Sequence, residues 1–416
     1  MDKDVFVGLD IGTTKVACII SALGENNELK VVGVGKSASY GLRKGVVVDI
    51  EKTVKSIEDA VKEAEQMSGV DVEDVWVGIA GDHIKARNST GSVGIAHEDH
   101  EIRQEDIDRA VDVAKTVQIP QEYEPLHIIP QEFNVDELKG IKHPLGMIGV
   151  RLTTQVHIIT GQGTIIQNIT KCVEKAGLRL NKLVFESLAS SYAVLDRDEK
   201  ELGVALIDIG GGTSDIAIYC GENIRHTAVV GLGGESVTRD ISVGLKTPLD
   251  KAEEIKKLHG CAYLPLLRGD ERLMVPMTGG RDDREIDRSG LVGVIEPRVE
   301  EILDIVLREI KKTEYVDMLG AGVVLTGGGA QMKGMVEKAE SVLKMPVRIG
   351  FPKSFGGLTD MVKSPMFATG VGLCMFAAES SAAESLRSGG KKKSSSGESG
   401  YRRAINKVTS WFSKNF

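Results

Sequence analysis

Cysteine is scarce and scattered. Cys18, Cys172, Cys220, Cys261 and Cys374 are odd in number, far apart and form no C-x-x-C pair. That pattern argues against a disulfide framework or a zinc site and fits a reducing cytoplasm. No apolar run reaches 18 residues, so no segment reads as a bilayer span. Met1-Asp2-Lys3-Asp4-Val5 lacks the shape of a signal peptide. No G-x-x-x-x-G-K-[ST] occurs, which excludes a Walker P-loop. No G-x-G-x-x-G follows the first apolar run, which excludes a Rossmann fingerprint there. Aromatics are only 4%, yet 41% apolar and 27% charged residues exclude a disordered chain, a collagen-like chain and a membrane channel.

What is present is length, glycine and an uneven charge. The 416 residues suffice for two or three domains with sizeable cores. The 48 glycines imply many tight turns or close backbone approaches. Residues 387–416 hold eight Lys/Arg and one acid, Glu398, for a net +7, which leaves −15 of the overall −8 on residues 1–386. The acidic body is a poor nucleic-acid binder, and the basic tail calls for an anionic partner.

The most informative feature is a motif used twice. Val5 to Leu9 and Val16 to Ile20 are strand-like runs around Asp10-Ile11-Gly12-Thr13-Thr14-Lys15. The same design returns at Gly203–Tyr219 around Asp208-Ile209-Gly210-Gly211-Gly212-Thr213-Ser214. Both read as β-hairpins, and their spacing of about 200 residues reads as a duplicated pair of α/β domains. Val323 to Leu325 then leads into a third glycine turn, Gly327-Gly328-Gly329-Ala330. A strand that ends in Asp before a Gly turn suits a phosphate: glycine lets the backbone approach, and successive N–H groups form an anion nest. Two such hairpins facing each other would clamp a polyphosphate between Asp10 and Asp208. Those two acids would hold Mg²⁺ through water, and Lys15 would add positive charge.

Residues 84–160 change character, with more acids and histidines and prolines at 120, 125 and 130. The helical spacing of Ile107, Ala110, Val111, Ala114 and Val117, between strand-like stretches, reads as an α+β insertion. His83, His97, His100, His127, His143 and His157 show no helical i,i+4 pair, so solvated or core histidines are expected rather than a metal site. The tail, Tyr401 to Phe416, places Tyr401, Ala404, Ile405, Val408, Trp411 and Phe412 on one helical face and Arg402, Arg403, Lys407 and Lys414 on others. That is the pattern of a helix lying in the plane of an anionic membrane surface. A Ser/Gly/Lys/Glu-rich linker precedes it.

These motifs resemble those of the actin, sugar-kinase and heat-shock-chaperone superfamily. Within it, the chain resembles the bacterial cell-division family FtsA, through V-G-L-D-I-G-T-T-K-V at 7–16, G-L-R-K-G-V-V-V-D-I at 41–50, G-V-A-L-I-D-I-G-G-G-T-S-D-I-A at 203–217, G-L-G-G-E-S-V-T-R-D-I at 231–241, A-E-E-I-K-K-L-H-G at 252–260 and V-L-T-G-G-G-A at 324–330. The resemblance implies an α/β, actin-like two-lobed fold of duplicated ribonuclease-H-like domains. It would carry an α+β insertion in the first lobe and a C-terminal amphipathic helix. The expected divisions are 1–83 plus 161–197 for the first lobe, 84–160 for the insertion, and 198–244 plus 299–360 for the second lobe. A small subdomain at 245–298, a returning helix at 361–379, a linker at 380–400 and a membrane helix at 401–416 complete them.

The resemblance also implies ATP with Mg²⁺ as ligand. Gly12, Thr13, Thr14 and Lys15 would form the first phosphate loop, and Gly210, Gly211, Gly212, Thr213 and Ser214 the second. Asp10 and Asp208 would be the metal-water ligands. Gly233, Gly234 and Gly327 to Ala330 would lie against ribose, α-phosphate and adenine, with Glu254 and Lys257 on the adenosine side. Glu186 stands where related ATPases orient the attacking water, but Ser187 follows where the chaperone branch has proline, so at most a slow ATPase is implied. The family further implies a filament of copies of the chain and contacts with other division proteins through the insertion. It also implies capture of the acidic C-terminal peptide of the tubulin-like FtsZ by the small subdomain, with Arg288, Arg298 and Lys311 as candidate contacts. The place implied is the cytoplasmic face of the membrane at the division site, held by the tail. A shape-determining or pilus-assembly actin homologue and a small-molecule kinase of the same superfamily are the alternatives.

Overall fold

The computed structural model describes residues 4–24, 28–269, 271–279, 281–353 and 356–389. The first lobe opens with β1 (Val5–Ile11), β2 (Lys15–Leu23) and β3 (Leu29–Ala38), then the two-residue strands β4 (Leu42–Arg43) and β5 (Val46–Val47). Helix α1 (Ile50–Ser68) and β6 (Asp74–Ile79) follow. Asp49 caps α1 by accepting from the Lys52 N–H, and Gly69 ends it in the left-handed region at φ 69°. The insertion contributes β7 (Ile84–Gly94), α2 (Gln104–Lys115), β8 (Tyr123–Val135), β9 (Leu138–Ile141) and β10 (Arg151–Gln162). The chain re-enters the first lobe through α3 (Gly163–Lys175), β11 (Arg179–Phe185) and α4 (Glu186–Val194), with the short α5 (Arg197–Leu202) as exit.

The second lobe is continuous in sequence. It runs through β12 (Val204–Ile209), β13 (Ser214–Cys220), β14 (Asn223–Val230), α6 (Gly234–Leu245), α7 (Leu249–His259), the pair β15 (Arg272–Val275) and β16 (Arg284–Asp287), α8 (Arg288–Lys311), β17 (Val323–Thr326), α9 (Met335–Leu343) and β18 (Val347–Ile349). Strand β19 (Gly356–Gly357), α10 (Thr359–Val362) and α11 (Ala368–Gly389) return to the first lobe.

The duplication read from the two glycine motifs extends to sheet topology. Apart from the two-residue β19 beside β3 at its edge, the first-lobe sheet has the order β3-β2-β1-β6-β11, and the second-lobe sheet has β14-β13-β12-β17-β18. In each, three antiparallel strands are followed by two parallel ones. The runs Val16–Ile20 and Val204–Ile209 are buried throughout, as strands covered on both faces must be. The insertion folds as a separate four-stranded sheet, β7-β10-β8-β9, with α2 packed on it through Ala110 and Ala114.

Two expected boundaries move. The division between residues 298 and 299 falls inside α8, which passes through Pro297 unbroken; proline there forgoes one hydrogen bond to the turn before it. The linker expected from residue 380 begins later, because α11 continues to Gly389. Ala382, Ala383, Glu384 and Leu386 are helix formers among the serines of this stretch, and its first glycine comes only at 389. The stretch Pro365–Ala383 has a mean hydropathy of 1.2, so by length and composition it qualifies to cross a membrane. Its Val371, Leu373, Cys374, Met375 and Ala377 are buried in the first-lobe core, which accounts for that apolarity. The rest of the expected linker and the membrane helix at 401–416 lie outside the described residues.

Candidate functional site

Both hairpins close in the same way. The Gly12 N–H donates to the Lys15 carbonyl at 2.9 Å, and the Gly210 N–H to the Thr213 carbonyl at 2.9 Å. The two tips touch across the lobes. A Cβ on Gly211 would lie 2.5 Å from Thr14 Cγ2, and one on Gly212 would lie 2.5 Å from Thr13 Oγ1. Side chains at these glycines would hold the lobes apart, so the sequence keeps the contact bare. The second loop is braced from behind, where Gly234 N–H donates to Gly210 O (2.9 Å) and Glu235 N–H to Gly211 O (2.8 Å).

The tips bound a cavity of about 810 Å³ between the lobes. Gly12, Thr13, Thr14, Lys15, Gly210, Gly211, Gly212 and Thr213 line one end, with Asp10, Asp208 and Glu186 at the floor. Gly234, Gly327, Gly328, Gly329 and Lys257 line it farther out. The expected residues Ser214, Gly233, Ala330 and Glu254 do not. The Ser214 hydroxyl turns to the Leu232 carbonyl at 2.8 Å. Gly233 packs beneath Gly210 and Gly211, and Ala330 is buried behind the third turn. Glu254 is exposed on the outer face of α7 and pairs with Lys251 at 2.8 Å.

One turn of α7 explains that last correction. Glu253, Lys256 and Lys257 line the cavity. Lys256 Nζ donates to Gly234 O (3.1 Å) and Thr238 Oγ1 (2.8 Å) and pairs with Glu253 at 2.6 Å. Helix periodicity allows either Glu253 or Glu254 to pair with a lysine farther along, and burial of Ala252 and Ile255 selects the rotation that turns Glu253 inward.

The floor is a knot of carboxylates. Asp10 pairs with Lys15. Asp208 Oδ2 accepts from Ser190 Oγ (2.6 Å) and Thr369 Oγ1 (3.4 Å). Burial, moderated by those donors, pushes the Asp208 carboxyl up to about 6. Glu186 begins α4. Burial first, and then the charges of Asp10, Asp215 and Asp208, hold it well above the usual glutamate range. Asp215 is raised by burial and by Asp208 beside it; Thr213 Oγ1 donates to one oxygen at 3.0 Å, while the other has no partner among the described residues.

The sequence reading missed Asp215, Glu253, Lys256 and Arg288. Asp215 had a signal: it pairs across its hairpin with Asp208, where the first hairpin sets Ala17 opposite Asp10. A departure from the duplication marks an added role. Arg288, expected as a peptide contact, turns into the cavity, where its Nε donates to His259 O at 3.0 Å and Nη1 pairs with Glu271 at 3.2 Å. Arg298 spends its guanidinium on Asp240 and Glu301. Neither is an uncommitted cation for an acidic peptide, whereas Lys311 is exposed near the end of α8. Among the described residues no group of three or more His, Cys, Asp or Glu side chains is arranged to hold a metal ion by itself.

A family model described as cell division protein FtsA matches residues 205–372, and one described as the SHS2 domain inserted in FtsA matches residues 81–160. The cell division protein FtsA of Pseudomonas aeruginosa is 48% identical over 372 residues, 89% of each chain. That of Escherichia coli K12 is 42% identical over 91% of each. That of Borreliella burgdorferi is 38% identical over the whole of both. Among solved structures, a PilM–PilN type IV pilus biogenesis complex aligns with a TM-score of 0.64 at 16% identity, over 89% of this chain and 98% of that one. MreB5 of Spiroplasma citri bound to ADP aligns at 0.57 and 14%, over 92% and 98%. At those identities the likeness is one of fold, and the fold is actin-like.

Proposed function

The chain belongs to the FtsA family of cell division proteins, and on that premise we propose that it binds ATP between its lobes and tethers FtsZ to the inner face of the cytoplasmic membrane. The observation that carries the nucleotide reading is the pair of matched hairpins closing on one cavity, whose volume is in the range of small-molecule sites. Backbone N–H groups of Thr13–Thr14 and Gly211–Thr213 would cradle the phosphates from two sides, with Lys15 adding charge. Glu253, Lys256 and Lys257, with the Gly327–Gly329 turn, would hold the nucleoside.

The floor suits Mg²⁺. Its buried carboxyls outnumber their cationic partner, Lys15, which Asp10 already engages, and Asp215, opposite Asp208 but outside the lining, keeps one buried oxygen without a partner among the described residues. Asp10 and Asp208 would hold the ion through water, and such an ion would screen the terminal phosphates. Glu186, raised by burial and by the neighbouring carboxylates, would be the residue facing the attacking water if the site turns ATP over.

The tail supplies the membrane end of the tether. Tyr401, Ile405, Val408, Trp411 and Phe412 would enter the interface beside the anionic headgroups drawn to Arg402, Arg403 and Lys407. One short helix binds weakly, and a filament of subunits multiplies it. Other division proteins would engage the insertion, and FtsZ the second lobe.

Vesicle co-sedimentation tests the tether. With ATP and anionic vesicles, FtsZ is expected to pellet with the full-length chain and to stay in solution with a chain ending at Gly390. FtsZ left in the supernatant while the full-length chain pellets would sink the FtsZ assignment but not membrane binding.

A further inference from the structure

The insertion does more than project from the first lobe: it grips the second. Strand β14 is the edge of the second-lobe sheet, and β7 is an edge of the insertion sheet. The two edges lie side by side. Among the described residues no backbone hydrogen bond joins them, and the bonds across the gap run through side chains. Asn88 Nδ2 donates to Arg225 O at 3.1 Å, and Gln131 Nε2 to Ile224 O at 2.6 Å. Arg225 Nη2 pairs with Glu132 at 2.8 Å. His157 completes the set, with Nδ1 2.6 Å from Asn88 Oδ1 and Nε2 2.9 Å from Thr227 Oγ1. Since Asn88 already donates through Nδ2, its Oδ1 accepts from the His157 Nδ1–H, and Nε2 accepts from Thr227.

These contacts are built into the interface, for His157 is 1% exposed and Gln131 and Thr227 are each 4% exposed. They are also in direct line with the cleft. Strand β14 ends at Val230, and the chain runs on as Gly231–Gly234, the segment that braces Gly210 and Gly211. Asp82, in the turn that starts the insertion, abuts the same segment; a Cβ on Gly231 would lie 2.4 Å from its Oδ2. The touching hairpin tips close one end of the cavity, and a grip on β14 would oppose any movement that parts them.

We propose that the insertion is a latch on the second lobe, so that its hold on β14 sets how readily the cleft opens, and a partner bound to the insertion changes nucleotide release. This rests on reading the cleft as a nucleotide site. A latch made of side-chain bonds from β7, β8 and β10 to one strand edge can yield and re-form, unlike a continuous ladder. Coupling of this kind is reciprocal, so nucleotide in the cleft would equally change the insertion's affinity for its partner.

Release of a fluorescent ATP analogue from the full-length chain, followed by stopped flow, tests it. Arg225→Glu and Glu132→Arg, each alone, should speed release by roughly fivefold or more. The double charge swap should return it to the parent rate. Asn88→Ala, which removes two of these bonds, should also speed release. Unchanged rates in the single variants would overturn the proposal. If the parent chain binds no nucleotide, the cleft reading fails, and spin labels at Glu98→Cys and Glu337→Cys still judge the latch. A distance distribution that is broader in Arg225→Glu than in the parent supports it, and equal widths refute it.

Discussion

His127 and His157 are buried in neutral form. His127 Nε2 accepts the Phe185 N–H at 3.0 Å, and burial brings both imidazoles down to about 3 from the usual 6.5. Each binds its proton more readily in the unfolded chain. Their contribution to stability is therefore complete above about pH 6.5 and is lost as pH falls from there toward about 3. At pH 5 the loss is on the order of 2 kcal/mol for each. The cleft acids act in the opposite sense, since Asp208 is raised to about 6 and its unfavourable burial is relieved as pH falls below that value. A comparison of parent with His127→Gln separates the two, because the acids titrate in both. Glutamine can still accept from Phe185. In urea titrations, the parent should lose about 2 kcal/mol more than the variant between pH 7 and pH 5; equal losses would refute a neutral buried His127.

At the scale of elements, glycine to alanine should have opposite signs in two helices. On α8, Gly293 is exposed and an added Cβ meets nothing within 4 Å; Gly293→Ala should stabilise by roughly 1 kcal/mol through helix propensity. On α11, Gly372 lies against α4, and its Cβ would fall 1.9 Å from the Ala189 carbonyl. Gly372→Ala should destabilise by about 1–3 kcal/mol as the helices are pushed apart. Urea midpoints that move in the same direction would show the α4–α11 packing to be misread. Legibility in the sequence follows the same line between local and non-local. The hairpins could be read because the apolar runs, the Asp and the glycines are contiguous. The rotation of α7 could not, because glutamates at 253 and 254 offer overlapping spacings and only tertiary burial of Ala252 and Ile255 decides. Arg288 looked like surface charge, since nothing nearby in sequence shows that the start of α8 faces the cleft.

At the scale of the molecule, the body and the basic tail should behave as separable parts. Among the side chains described up to Ala383, the last buried position of α11 is Ala378. A chain ending at Gly390 should therefore keep its thermal midpoint and its affinity for an ATP analogue, while losing its attachment to anionic vesicles. In the full-length chain that attachment should weaken as salt rises and on zwitterionic vesicles, because the tail's net charge of +7 is its attraction to the surface. Loss of nucleotide affinity on truncation would show the tail to be part of the cleft's support. The sequence shows the charge asymmetry plainly; the grip of the insertion on β14 is invisible in it, since Asn88 and Gln131 carry no local pattern that names Ile224 or Arg225 as partners.

Helix α11 also fixes an order of birth. It fills the first-lobe core, where Cys374 Sγ reaches the Phe6 carbonyl across 368 residues of chain. The second lobe, by contrast, is assembled from the uninterrupted segment that ends at Ile349. During synthesis the later-encoded lobe has all its strands before the earlier one can close, the reverse of the usual N-terminal-first sequence of domain folding. The proposed membrane helix at 401–416 is translated after α11, the helix that seals the first lobe.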